Sequence, residues 1–104
     1  MKYIGAGLLI SLSSLSFGYS QDAGIVTRVF VSSGGEIAIQ IEGGFKDSIA
    51  DGQCASNNGW AGHSSADPVL KAAILAAKAS GQSLTVTTEG CNGAWFKVKD
   101  LYIN

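Results

Sequence analysis

The chain is poor in the residues that carry most enzyme chemistry. Its 104 residues include one histidine, two cysteines, one proline and one methionine, and only 14% are charged. A single histidine and two cysteines leave a metal centre short of ligands. There is no Cys-x-x-Cys, which excludes a thioredoxin-like redox motif. No Gly-x-Ser-x-Gly elbow, P-loop or dinucleotide fingerprint occurs. Seven basic residues stand against eight acidic ones, for a net charge of −1. Without a basic run, nothing marks the chain for nucleic acid or for anionic lipid. No apolar run reaches the roughly 20 residues that a membrane-crossing helix needs.

What is present begins with an export signal. Lys2 supplies a positive start, and Ile4 to Leu15 form an apolar run of about a dozen residues, the pattern of a signal peptide. Small residues at Gly18 and Ser20 place cleavage after Ser20, so residues 1–20 are the expected leader. Ser16 and Gly18 offer a second register two residues earlier. No lipobox cysteine follows. Residues 21–104 then form a single secreted or periplasmic domain. Both Cys54 and Cys91 lie in it, and an even count in a small exported chain predicts one disulfide. Closing that loop is worth roughly 3–4 kcal/mol in the chain-entropy model.

The remainder reads as strands around one helix. Ile25 to Val31 is the first strand, with Ile25, Thr27, Val29 and Val31 on one face and Val26, Arg28 and Phe30 on the other. Ser32 to Gly35 is a turn. Glu36 to Glu42 alternates Ile37, Ile39 and Ile41 against a wet face of Glu36, Ala38, Gln40 and Glu42. The two runs form a hairpin. Phe45 to Ile49 is a short third strand or a loop, and Asp51 to Ser65 is a loop with a brief strand around Trp60. Asp67 is the expected helix N-cap, Pro68 its first residue and Gly81 its C-terminal stop. Leu70, Ala73, Ile74 and Ala77 make the buried stripe, widened by Val69 and Ala76. Leu84 to Thr88 and Phe96 to Ile103 are the last strands. Their faces agree only with one irregularity near Gly90 to Trp95 and a second at Lys99-Asp100.

The expected fold is therefore mainly β with one helix, in the order β-β-β-α-β-β. That is the order of an OB-like five-stranded Greek-key barrel. The passage from the capped helix through Ala79-Ser80-Gly81-Gln82-Ser83 into Leu84-Thr85-Val86 resembles that of B subunits of pentameric A-B toxins, nearest the subtilase-cytotoxin type. The whole exported part also resembles small uncharacterised exported proteins of Gram-negative bacteria. In those, a strand beginning Gly-x-Val-x-Arg, here Gly24-Ile25-Val26-Thr27-Arg28, precedes the same helix and late cysteine. The toxin resemblance implies an OB barrel that assembles into homopentamers and binds cell-surface glycans. This chain is shorter than most such subunits, and no glycan-contacting position of the family maps onto a numbered residue here.

Candidate sites follow from residue type. An indole face beside amides suits a sugar, whose C–H groups stack while its hydroxyls take hydrogen bonds. Trp60 with Asn57, Asn58 and Gln53, together with Trp95, form the expected ligand site. The alternative is that each tryptophan plugs a barrel end and hydrogen-bonds its indole N–H. Lys71, Leu75 and Lys78 with Phe30 form a candidate oligomer face. His63 with Ser64 and Asp67 could be drawn as a triad, but triads are defined by geometry, and His63 is read as an ordinary loop residue. The expectation is a non-enzymatic binding domain with no cofactor or metal, taking a glycan or an envelope protein, in oligomeric form. The alternative is a monomeric structural or protein-interaction protein.

Overall fold

The computed structural model describes residues 18–104. The expected leader falls on residues outside that range, apart from Gly18 to Ser20. Five strands form one sheet that closes on itself: β1 (Ser20–Val31), β2 (Ile37–Ile41), β3 (Ala61–His63), β4 (Ser83–Asn92) and β5 (Trp95–Ile103). Their spatial order is β1-β2-β3-β5-β4, with β4 returning to β1. All pairings are antiparallel except β3 with β5.

Among the described residues two helices accompany the strands, one more than expected. Phe45 to Ile49 is neither strand nor loop. Phe45 is buried in the core, and Lys46–Ala50 form a short helix, α1. Its N-terminus has no cap from its own sequence. It is capped from a distance by Asp22 of β1, whose carboxylate accepts from the N–H groups of Asp47 (2.8 Å) and Ser48 (3.0 Å). A cap 25 residues away leaves no local signature, which is why this helix was illegible. The second helix, α2 (Pro68–Ser80), is the expected one. The Asp67 side chain accepts from Val69 N–H at 2.7 Å, and Gly81 ends it in the left-handed conformation at φ 72°. Ile74 and Ala77 are buried, while Val69 is 77% exposed and Ala76 is exposed, so the buried stripe is narrower than expected.

β1 is long because it serves two neighbours. Its first half pairs with β4 and its second with β2. The register slips between Val26 and Arg28, so Thr27 is an extra, bulged residue. The bulge turns both Val26 and Val29 toward the core, against the simple alternation, and leaves Ile25 on the other face; Val31, on the Val29 face, is exposed at the end of the strand. β2 buries Ile37, Ile39 and Ile41 as its alternation demands. Its opposite face is not wet throughout, because Ala38 is fully buried there. Both predicted irregularities of the last hairpin are present. One lies between Thr88 and Cys91, and the other sets Thr87 opposite Asp100 while Thr88 faces Val98, leaving Lys99 unpaired. Asn92 pairs with Trp95, so the two-residue turn is Gly93-Ala94. Ile37, Ile39, Phe45, Ile74, Leu84, Val86, Phe96 and Val98 fill the barrel, with the Phe45 and Phe96 rings 5.7 Å apart.

Candidate functional site

Cys54 and Cys91 are joined, tying the loop after α1 to the end of β4. A disulfide of this kind belongs to an oxidising compartment. Around it the structure divides into a sealed polar end and an open aromatic face.

The polar end is a closed hydrogen-bond network. Asp22, Ser48, Thr88 and Ser20 are all buried. The Ser48 hydroxyl donates to Asp22 at 2.7 Å and so must accept from the Thr88 hydroxyl, 2.6 Å away. Ser20 Oγ donates to the Asp51 carboxylate and accepts from Gln53 Nε2 at 3.1 Å. Gln53 Oε1 accepts from Gly90 N–H at 3.0 Å. Both ends of the Gln53 amide are thus committed to holding the disulfide loop. Asn57 is committed likewise: its Nδ2 donates to the Cys54 carbonyl and its Oδ1 accepts from Gly59 N–H. Asn58 Oδ1 accepts from Trp60 N–H at 3.2 Å, a local turn that sets the entry into β3.

The aromatic face lies on the outside of β1, β2 and β3. Phe30, Ala38 and Gly62 stand in one row across the three strands. Arg28 pairs with Gln40 two residues along, and Trp60, directly before β3, reaches the same row. The Arg28 guanidinium lies over the Trp60 ring at 5.1 Å. Trp95 comes from β5 and meets Phe30 edge to face at 5.8 Å. Gly62 makes room for it: a Cβ there would stand 2.7 Å from Trp95 Cε3 and 2.5 Å from the Ile37 carbonyl oxygen. This covering explains why Ala38 is buried on a face that alternation marks as wet.

The structure therefore brings together Trp60 and Trp95, adds Arg28 and Phe30, and assigns Gln53 and Asn57 to the fold. Arg28 was missed as a site residue. Its place beside Phe30 on one strand face was legible, but its contact with Trp60 spans 32 positions of chain. Phe30 belongs with Trp95. Lys71, Leu75 and Lys78 share a face of α2, where Leu75 is 50% exposed and the Lys71 ammonium reaches the β1–β2 turn at Gly35.

His63, Ser64 and Asp67 do not form a triad with one another. His63 Nδ1 accepts from Ser65 N–H, Ser64 Oγ accepts from Asn92 Nδ2, and Asp67 caps α2. An open groove of about 440 Å3 runs between α2 and β5, with Leu70, Ala73, Val98 and Leu101 as its floor and His63 and Asp100 at its rim. Neither tryptophan lines it. No helix among the described residues is long and apolar enough to cross a membrane. Compared with protein-family models, with characterised proteins and with solved structures, the chain matches none.

Proposed function

We propose that this chain is an exported, non-enzymatic binding domain of OB-like architecture that takes a glycan on the outer face of β1, β2 and β3. The closed order β1-β2-β3-β5-β4, with α2 between β3 and β4, supports the OB reading. The observation that carries the function is the four-membered face of Arg28, Phe30, Trp60 and Trp95. Indole surface offers a stacking platform for sugar C–H groups. A guanidinium resting on an indole keeps its planar N–H donors for hydroxyl or ring oxygens. This reading joins the resemblance to toxin B subunits, and with it assembly through the Lys71, Leu75, Lys78 face of α2, where Leu75 is exposed.

A glycan array probed with the wild-type protein and with Trp60→Ala tests the proposal. Binding that Trp60→Ala abolishes, from a species larger than a monomer by light scattering, is the expected result. A monomer that binds no glycan would favour the alternative, a structural or protein-interaction protein of the envelope.

A further inference from the structure

We propose that the leader is removed after Gly18, so that the exported protein begins at Tyr19. The inference rests on the reading of an N-terminal signal peptide. Two registers satisfy the small-x-small rule: Gly18 and Ser20 for cleavage after Ser20, and Ser16 and Gly18 for cleavage after Gly18. Sequence alone does not separate them, but the fold does.

Ser20 is the first residue of β1, pairs with Thr88 and is only 4% exposed. Its hydroxyl joins Asp51 to Gln53, and Gln53 in turn holds Gly90 beside the disulfide. Cleavage after Ser20 deletes that link and leaves polar groups at the loop without their partner, a loss that falls on the folded state alone. It also puts a new ammonium group on Gln21, whose side chain is engaged with Thr87.

Cleavage after Gly18 retains all of this. It retains Tyr19 as well, whose ring lies 5.3 Å from the Lys99 ammonium. The new terminus also lies one residue from a position beside a carboxylate. The Glu89 carboxylate stands 3.7 Å from where a Gly18 Cβ would be, and Tyr19 is the next residue.

The test is intact-mass analysis and N-terminal sequencing of the protein recovered from the envelope or medium of a Gram-negative host expressing the full chain. Tyr19 as first residue is expected. Gln21 as first residue, open or cyclised, overturns the proposal while leaving the leader intact. An exported chain still beginning at Met1 overturns the leader itself. The structural argument is checked separately with two purified chains starting at Tyr19 and at Gln21. The longer one should melt higher by about 5 °C or more, and equal melting temperatures overturn the role given to Ser20.

Discussion

The polar end and the aromatic face of this small barrel use polar groups in opposite ways. Around α1, Asp22, Ser48, Thr88, Ser20 and Gln53 are turned inward and satisfy one another. On the outer face of β1, β2 and β3, Arg28 and Phe30 are exposed, and their partners Trp60 and Trp95 are half-buried. A saturated network stabilises the fold and has nothing left to offer a ligand. A half-covered aromatic and guanidinium surface contributes little to the fold and retains its capacity for contact. The amides expected beside Trp60 illustrate the distinction: Gln53 and Asn57 are near the tryptophan in sequence, yet Gln53 belongs to the sealed end and Asn57 is used within its own loop.

The comparison predicts that substitutions at the sealed end lower stability and spare the aromatic face. The largest effect should come from the disulfide. Replacing both Cys54 and Cys91 by serine opens a loop whose ends are 37 residues apart, which costs about 4 kcal/mol in the chain-entropy model. Thermal unfolding should show a fall of roughly 15–30 °C for a domain of this size. A change of only a few degrees would mean that the surrounding hydrogen bonds hold the loop unaided. Next is Asp22→Ala. It removes the remote cap of α1, takes one of two partners from the Ser48 hydroxyl and orphans two backbone N–H groups, for a loss of about 2–4 kcal/mol. Chemical denaturation measures it, and tryptophan emission of the folded variant should match that of the wild type.

How legible each region was follows from how far apart its partners lie in sequence. Helix α2 was readable because its cap, its first proline and its terminal glycine are all local. The two irregularities of the β4–β5 hairpin were readable because Val86, Val98 and Leu101 cannot share a face without them. Helix α1 was not, because Asp22 caps it from another strand. The bulge at Thr27 was hidden for a similar reason: an uninterrupted run of strand-forming residues carries no sign of where its partner changes from β4 to β2. In the candidate site, each tryptophan was recognisable as a ligand-binding residue type. Their partners Arg28 and Phe30 were not, since only the side-by-side pairing of β1 with β2, β2 with β3 and β3 with β5 brings the first strand to Trp60 and Trp95.

One substitution tests whether the two regions are independent. Gly62→Ala puts a methyl group where the Ile37 carbonyl, the Ala38 side chain and Trp95 already crowd. The backbone oxygen cannot move aside cheaply, so the cost should be about 1–3 kcal/mol. Trp95 should also be displaced, giving a shifted emission maximum and weaker ligand binding. Loss of stability with unchanged emission would mean that the strands part and the indole stays.

The smallest effect on stability, and the most telling one, belongs to Arg28→Ala. Its guanidinium is exposed and stacks on a half-buried Trp60, and a cation–π contact at such a site is worth about 0.5–1 kcal/mol. The melting temperature should therefore fall by only a few degrees. If the face is a binding surface, affinity for the glycan identified on the array should fall at least tenfold, which corresponds to about 1.4 kcal/mol of lost contact. Arg28→Lys should recover little, because an ammonium lacks the planar fork of donors that the guanidinium carries over the indole. Isothermal titration of both variants beside the wild type measures this. If instead Arg28→Ala destabilises the protein as much as Asp22→Ala does, the aromatic face is a second structural seal and the contrast between the two regions disappears. Only a large loss of binding with a small loss of stability separates a surface kept for a ligand from one that merely closes the barrel.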